Sequence, residues 1–155
     1  MYQRILVPVD GSDTSKRGLE EAVRLAKLTH GRLRVIHVID DLSFSAVMGA
    51  HTGFMGNWST YLRESGEALV AEAKAVARAA GIEVDGAVHD ELNCRLYEVV
   101  ASEARSWAAD LIVLGTQGRR GVGRLILGSG AESILRTSSV PVLLVRAPEG
   151  DPFRP

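Results

Sequence analysis

Residues 111–146 read LIVLGTQGRRGVGRLILGSGAESILRTSSVPVLLVR. The stretch opens on an apolar run, Leu111 to Thr116, and closes on a second one, Val140 to Arg146. Between them Ala131, Ile134 and Leu135 recur at helical spacing. Strand, glycine-rich loop, helix and strand in that order make a βαβ unit, whose two strands must run parallel. Both runs are continuous rather than alternating, as expected of strands covered by helices on both faces.

The same alternation extends back to the N-terminus. Further strands are predicted at Arg4 to Asp10, Leu33 to Val38 and Glu83 to Val88. Apolar stripes between them fall at Leu19, Ala22, Val23 and Ala26, at Leu69, Ala73, Val76, Ala77 and Ala80, and at Leu96, Val99, Val100 and Ala104. Gly31 and Gly81 stand just past the first two helices, where a left-handed residue ends a helix, and Asn93 is placed to cap the third. There is no internal repeat or linker, so residues 1–155 read as one doubly wound α/β domain with its core ending near Arg146 and a loose tail, EGDPFRP. Asp40 to Ser59 breaks the pattern. It is about twenty residues long and combines Gly49, Gly53 and Gly56 with Phe44, Met48, Phe54, Met55 and Trp58. A lid, a short helix and a partner contact are the three readings of that stretch.

A chain of 155 residues buries roughly 70% of its unfolded surface and needs no staples. Its one cysteine, Cys94, has no internal partner, and Arg4 interrupts the short N-terminal apolar run, so neither a disulfide framework nor a signal peptide is expected. These features predict a cytoplasmic location. No apolar run approaches the roughly 20 residues of a membrane helix, so membrane insertion is not expected. With 18 Lys and Arg against 19 Asp and Glu, the net charge is -1, which offers no global attraction to nucleic acid. The four histidines, His30, His37, His51 and His89, lack metal-ligand spacing and read as structural, as does Cys94.

An anion site must then be local, and the glycine loop supplies one. Gly115 and Gly118 stand three apart, nine residues follow, and Gly128-Ser129 opens the last helix. Glycines let a backbone approach a phosphate closely, and a helix N-terminus offers free amides and a positive dipole end. Arg119, Arg120 and Arg124 concentrate charge in the loop, and Arg124 is the one assigned to phosphate. The P-loop motif is absent, and no G-x-G-x-x-G follows the first strand, which carries Val9-Asp10-Gly11-Ser12 instead. If the first and fourth strands are neighbours, Asp10 and the glycine loop share a crevice at the carboxyl ends of the sheet. Pro8, which lacks a ladder donor, marks where strand pairing stops. Two residues have competing explanations. Asp10 reads as a ligand contact or as the cap of the helix starting near Ser12. Ser129, with Glu132 three residues on, reads as a phosphate contact, a capping box, or both.

The segments ILVPVDGSDTS (5–15), VIHVID (35–40) and GTQGRRGVGRLILGSGAESILRTSSVPVLLVR (115–146) resemble the hallmark regions of the universal stress protein family, in its ATP-binding branch. The resemblance implies a five-stranded parallel sheet in order 3-2-1-4-5 with helices on both faces. It implies ATP, with magnesium, as cofactor. It places Pro8, Val9 and Asp10 at the adenosine end, Val38 in the base pocket and Leu114 beneath the base. Gly115, Gly118, Gly128, Ser129 and Gly130 then surround ribose and phosphates. It also implies a homodimer through Val142 to Val145. The chain departs from the family pattern at Gly130, where valine is common, and at His89-Asp90-Glu91, where a Gly-Pro step is common.

The resulting expectation is a regulatory ATP-binding stress protein with an unidentified protein partner rather than an enzyme, since no P-loop lysine or metal-holding carboxylate pair is in view. A slow ATPase, a nucleotide-free dimeric interaction protein and an FAD-binding electron-transfer protein are the rival readings.

Overall fold

The computed structural model describes residues 1–39, 55–90, 95–116 and 128–146, with side chains in the second of these ranges described from Ser59. Five strands, β1 (Arg4–Pro8), β2 (Arg32–Val38), β3 (Val84–His89), β4 (Leu111–Thr116) and β5 (Val142–Arg146), form one parallel sheet in the order β3-β2-β1-β4-β5. The helices are α1 (Asp13–Thr29), α2 (Met55–Ala79), α3 (Leu96–Ser106) and α4 (Ser129–Thr137). This is the expected doubly wound order, and the winding reverses between β1 and β4.

Successive side chains of a strand point to opposite faces, so each buried run feeds two cores. Ile5, Val7 and Val9 pack with Leu33, Val35, Leu111 and Val113 against Leu19, Ala22, Val23 and Ala26 of α1 and Ala73 and Ala77 of α2. Leu6, Ile36, Ile112 and Leu114 pack on the other face against Val100 and Ala104 of α3 and Ile134 of α4. Two stripe residues fall elsewhere than predicted. Val76 and Leu135 are 43% and 45% exposed, and Val70 is buried in the seam of α2 instead.

Half of the strand ends differ from the sequence reading, by one or two residues. β1 stops at Pro8 rather than Asp10, β5 starts at Val142 rather than Val140, and β3 runs to His89. The helix α2 already begins at Met55, so the last part of the irregular stretch is helical, while 40–54 lie outside the described residues, as do Asn93 and Cys94.

Gly81 has the expected left-handed backbone, φ +79°, but at the end of α1 that conformation is taken by His30, φ 52°. Gly31 serves a different need there: a Cβ would lie 2.9 Å from the Tyr2 carbonyl oxygen and 3.0 Å from the Gln3 Cα. It lets the chain entering β2 pass the residues just before β1 at backbone contact.

Candidate functional site

Pro8 and Val38 end β1 and β2, Leu114 lies two residues before the end of the adjacent β4, and the alternation of side chains puts all three on the sheet face that carries α3 and α4. The pairing pattern opens a crevice among them. On one side β1 stays paired with β2 as far as Pro8↔Ile36, and the Val9 amide still donates to the Ile36 carbonyl at 2.8 Å. On the other side the register with β4 extends only through Ile5↔Leu111 and Leu6↔Ile112. Backbone donors alternate sides along a strand, so the missing N–H of Pro8 belongs to the β4 side, where pairing has already ceased. The sheet therefore splits at its switch point, as the proline suggested.

Gly115 is the residue that brings β4 up to the turn after β1. A Cβ there would lie 2.2 Å from the Thr14 carbonyl oxygen and 2.6 Å from the Ser15 amide nitrogen. Gly18, one turn along α1, faces the same strand: its Cβ would sit 3.0 Å from the Gly115 amide nitrogen. Two bare backbones meet, and the first turn of α1 rests directly on the end of β4. A glycine in a helix interior costs about 1 kcal/mol relative to alanine, so Gly18 was a visible signal of close approach that the sequence reading passed over.

Gly128 is the opposite case. It is the N-cap of α4 with φ −58°, a conformation open to any residue, and a Cβ would meet nothing within 4 Å. Neither backbone strain nor described packing calls for glycine there. The first intrahelical bond runs from the Glu132 amide to the Gly128 carbonyl at 2.9 Å, which leaves the amides of Ser129, Gly130 and Ala131 without partners inside the helix.

The capping box predicted at Ser129 does not form. Ser129 is the first helical residue rather than the cap, its hydroxyl has no partner among the described residues, and Glu132 turns forward to Arg136 at 2.8 Å. Gly130 has a packing role, because a Cβ would stand 2.8 Å from Leu96 Cδ2 at the start of α3.

Asp10 is not the cap of α1 either. Ser12 is: its hydroxyl accepts from the Ser15 amide at 3.2 Å. Asp10 is exposed, and its Oδ1 accepts from both the amide and the hydroxyl of Ser12, at 2.9 and 2.6 Å. Val9 stands apart from the other candidates. Its side chain belongs to the α1–α2 core, its amide is bonded to Ile36, and its carbonyl accepts from His37 Nδ1 at 2.8 Å. Val9 also borders a separate cavity of about 220 Å³ between α1 and α2, floored by Leu19, Leu69 and Ala73. Gly118 and Arg124, with Arg119 and Arg120, lie outside the described residues.

Among the described residues no cluster of His, Cys, Asp or Glu is arranged to hold a metal ion, and no helix is long and apolar enough to cross a membrane. His30 closes α1, His37 holds the Val9 carbonyl, and His89 Nε2 lies 3.4 Å from Glu103 Oε1; His51 is outside the described residues.

The fold and its split define a doubly wound α/β protein whose five-stranded sheet parts at its switch point, where open α/β sheets take their ligands. Residues 1–146 match the universal stress protein family, and the chain belongs to that family. It is 33% identical over 156 residues to a universal stress protein of Methanocaldococcus jannaschii, covering 96% of this chain and 85% of that one. Among solved structures it resembles a universal stress protein family member from Burkholderia pseudomallei, with 28% identity, 94% and 97% coverage and a TM-score of 0.75. It is also similar to a universal stress protein crystallised in complex with cAMP, with 26% identity, 94% and 97% coverage and a TM-score of 0.65.

Proposed function

We propose that this chain binds ATP in the crevice between the ends of β1 and β4 and acts as a nucleotide-dependent regulator in the stress response. The single observation that carries the reading is Gly128: a glycine with ordinary backbone angles and, among the described residues, open space in place of a side chain, beside the amides of a helix N-terminus. A phosphate group is what such a position accommodates. The Ser129 hydroxyl, without a partner among the described residues, adds a donor.

In this reading Pro8, Val38 and Leu114 form the apolar bed of the base, and Asp10 and Gly115 border the ribose. Gly118, Arg124, Gly128, Ser129 and Gly130 hold the phosphates, and Val9 contributes through its backbone. Magnesium would be held chiefly by the triphosphate, with Asp10 the nearest carboxylate on the β1–α1 turn. The cAMP complex of the similar structure supports an adenine nucleotide as the class of ligand.

Regulation rather than catalysis follows from the donor set. The motif lacks a P-loop lysine, and among the described residues no group of carboxylates is arranged to hold a metal for phosphoryl transfer. Bound nucleotide stabilises the form that binds it by mass action, and so biases the surface offered to a partner. The β5 edge, with Val142 to Val145 only half-buried, suits a homodimer contact. A cytoplasmic setting fits both roles.

Calorimetric titration with ATP, with and without magnesium, tests the reading, with AMP and cAMP as comparisons and Gly128→Ala as the control variant. Micromolar ATP binding that the variant weakens at least about tenfold is expected, equivalent to about 1.4 kcal/mol. No binding at millimolar ATP would overturn it and leave a nucleotide-free interaction protein.

A further inference from the structure

We infer that Ser12 is a positioning residue that locks the Asp10 carboxylate with one oxygen engaged and the other presented to the crevice. The inference deepens the nucleotide reading and rests on it for the identity of the ligand. It follows from an account of the protons. Ser12 Oγ lies 2.6 Å from Asp10 Oδ1, 3.0 Å from Thr14 Oγ1 and 3.2 Å from the Ser15 amide nitrogen. A hydroxyl has one proton and two lone pairs.

The Asp10 carboxylate accepts only, so the Ser12 proton goes to Asp10, in the short bond expected when the acceptor is ionised. The Ser15 amide donates only, so it takes one lone pair of Ser12. The second lone pair then receives the Thr14 hydroxyl, which sets that bond's direction from Thr14 to Ser12. Every valence of Ser12 is used. The Asp10 amide donates to Ser15 Oγ at 3.1 Å, which closes the turn from the other side. Thr14 and Ser15 are buried, at 8% and 5% exposure, so the frame is anchored under α1 while Asp10 itself is exposed.

Asp10 Oδ1 receives two bonds from Ser12. Oδ2 has no partner among the described residues and is the acceptor left for a ligand hydroxyl or amine. Ser12 thus does two separable things: it caps α1 and it orients Asp10.

Ser12→Asp separates them, because an aspartate caps a helix as well as serine does but has no proton to give Asp10. Ser12→Thr keeps the hydroxyl. The side-chain rotamer of Asp10, read from three-bond couplings in the ligand-free full chain, is expected to be single in wild type and in Ser12→Thr and averaged in Ser12→Asp. ATP affinity is expected to fall about tenfold or more in Ser12→Asp, to recover in Ser12→Thr, and to do so with the melting temperature of Ser12→Asp close to wild type. A single Asp10 rotamer in Ser12→Asp, or ATP affinity within about twofold of wild type, overturns the inference. Wild-type protein that ignores millimolar ATP overturns the nucleotide reading instead, and the coupling measurement then decides the positioning role by itself.

Discussion

Gly115 and Gly128 belong to one sequence motif, yet the structure predicts opposite outcomes when each is replaced by alanine. At Gly115 the added Cβ lies 2.2 Å from the Thr14 carbonyl oxygen and 2.3 Å from its carbon, both backbone atoms of the first turn of α1. No side chain can rotate away, so α1 must shift off β4, against a core that includes Leu19, Ala22, Val23 and Ala26. Forced overpacking of this kind costs about 3 kcal/mol. For a domain of this size that lowers the melting temperature by about 6 to 12 °C. At Gly128 the Cβ meets nothing among the described residues at φ −58°, and the expected cost is the preference for glycine over alanine at a helix cap, under about 1 kcal/mol or 4 °C. Thermal unfolding followed by circular dichroism, with ATP titration of both variants, reads the contrast. Gly115→Ala is expected to lose stability first, and Gly128→Ala to keep the fold and lose nucleotide affinity. Equal melting temperatures for the two variants would refute the packing argument, and unchanged ATP binding in Gly128→Ala would refute the phosphate assignment.

Three further outcomes test other parts of the fold. Leu6→Ala, at a position with no exposed surface, is expected to cost about 2 to 5 kcal/mol in denaturant unfolding, whereas Leu135→Ala, on the exposed side of α4, should stay within about 0.5 kcal/mol. Asp110→Ala removes the carboxylate that accepts from the Gln3 and Arg4 amides at 2.8 and 3.0 Å; faster hydrogen exchange at those two amides is expected, with a global loss of about 1 to 2 kcal/mol. Glu103 is 13% exposed and binds Arg34 Nε at 2.6 Å, while Arg34 also reaches Asp85 at 3.0 Å. Glu103→Gln leaves that guanidinium with one exposed carboxylate and should lower stability by about 1 to 3 kcal/mol in urea titration. A variant as stable as wild type would show that the pair contributes nothing net.

Much of this was legible because periodicity and glycine spacing are local properties. The runs at 5–9, 111–115 and 142–145 are apolar on both faces, as strands of a helix-covered parallel sheet are, and the helical stripes were legible apart from Val76 and Leu135, which are exposed. The order 3-2-1-4-5 came with the family resemblance, and the alternation of elements was consistent with it. The errors lie where a residue's role depends on what crosses it. Gly31 was read as a cap because it follows a helix, but His30 bends the chain and Gly31 makes room for Tyr2 and Gln3, which are distant in sequence. Ser129 matched a capping box by spacing, yet α4 begins one residue earlier in its hydrogen bonding than that box requires.

The sequence by itself determined the class of fold and the family, because both follow from patterns that recur every few residues or from a motif of fixed spacing. The division of labour within that motif was decided by tertiary structure alone. Glycine has the same covalent chemistry at 115 and 128, and only the approach of α1 to one and of nothing described to the other makes the first a packing residue and leaves the second with room among the described residues. The same holds for Asp10, whose Oδ1 is engaged by the amide and hydroxyl of Ser12 in a turn anchored by the buried Thr14 and Ser15.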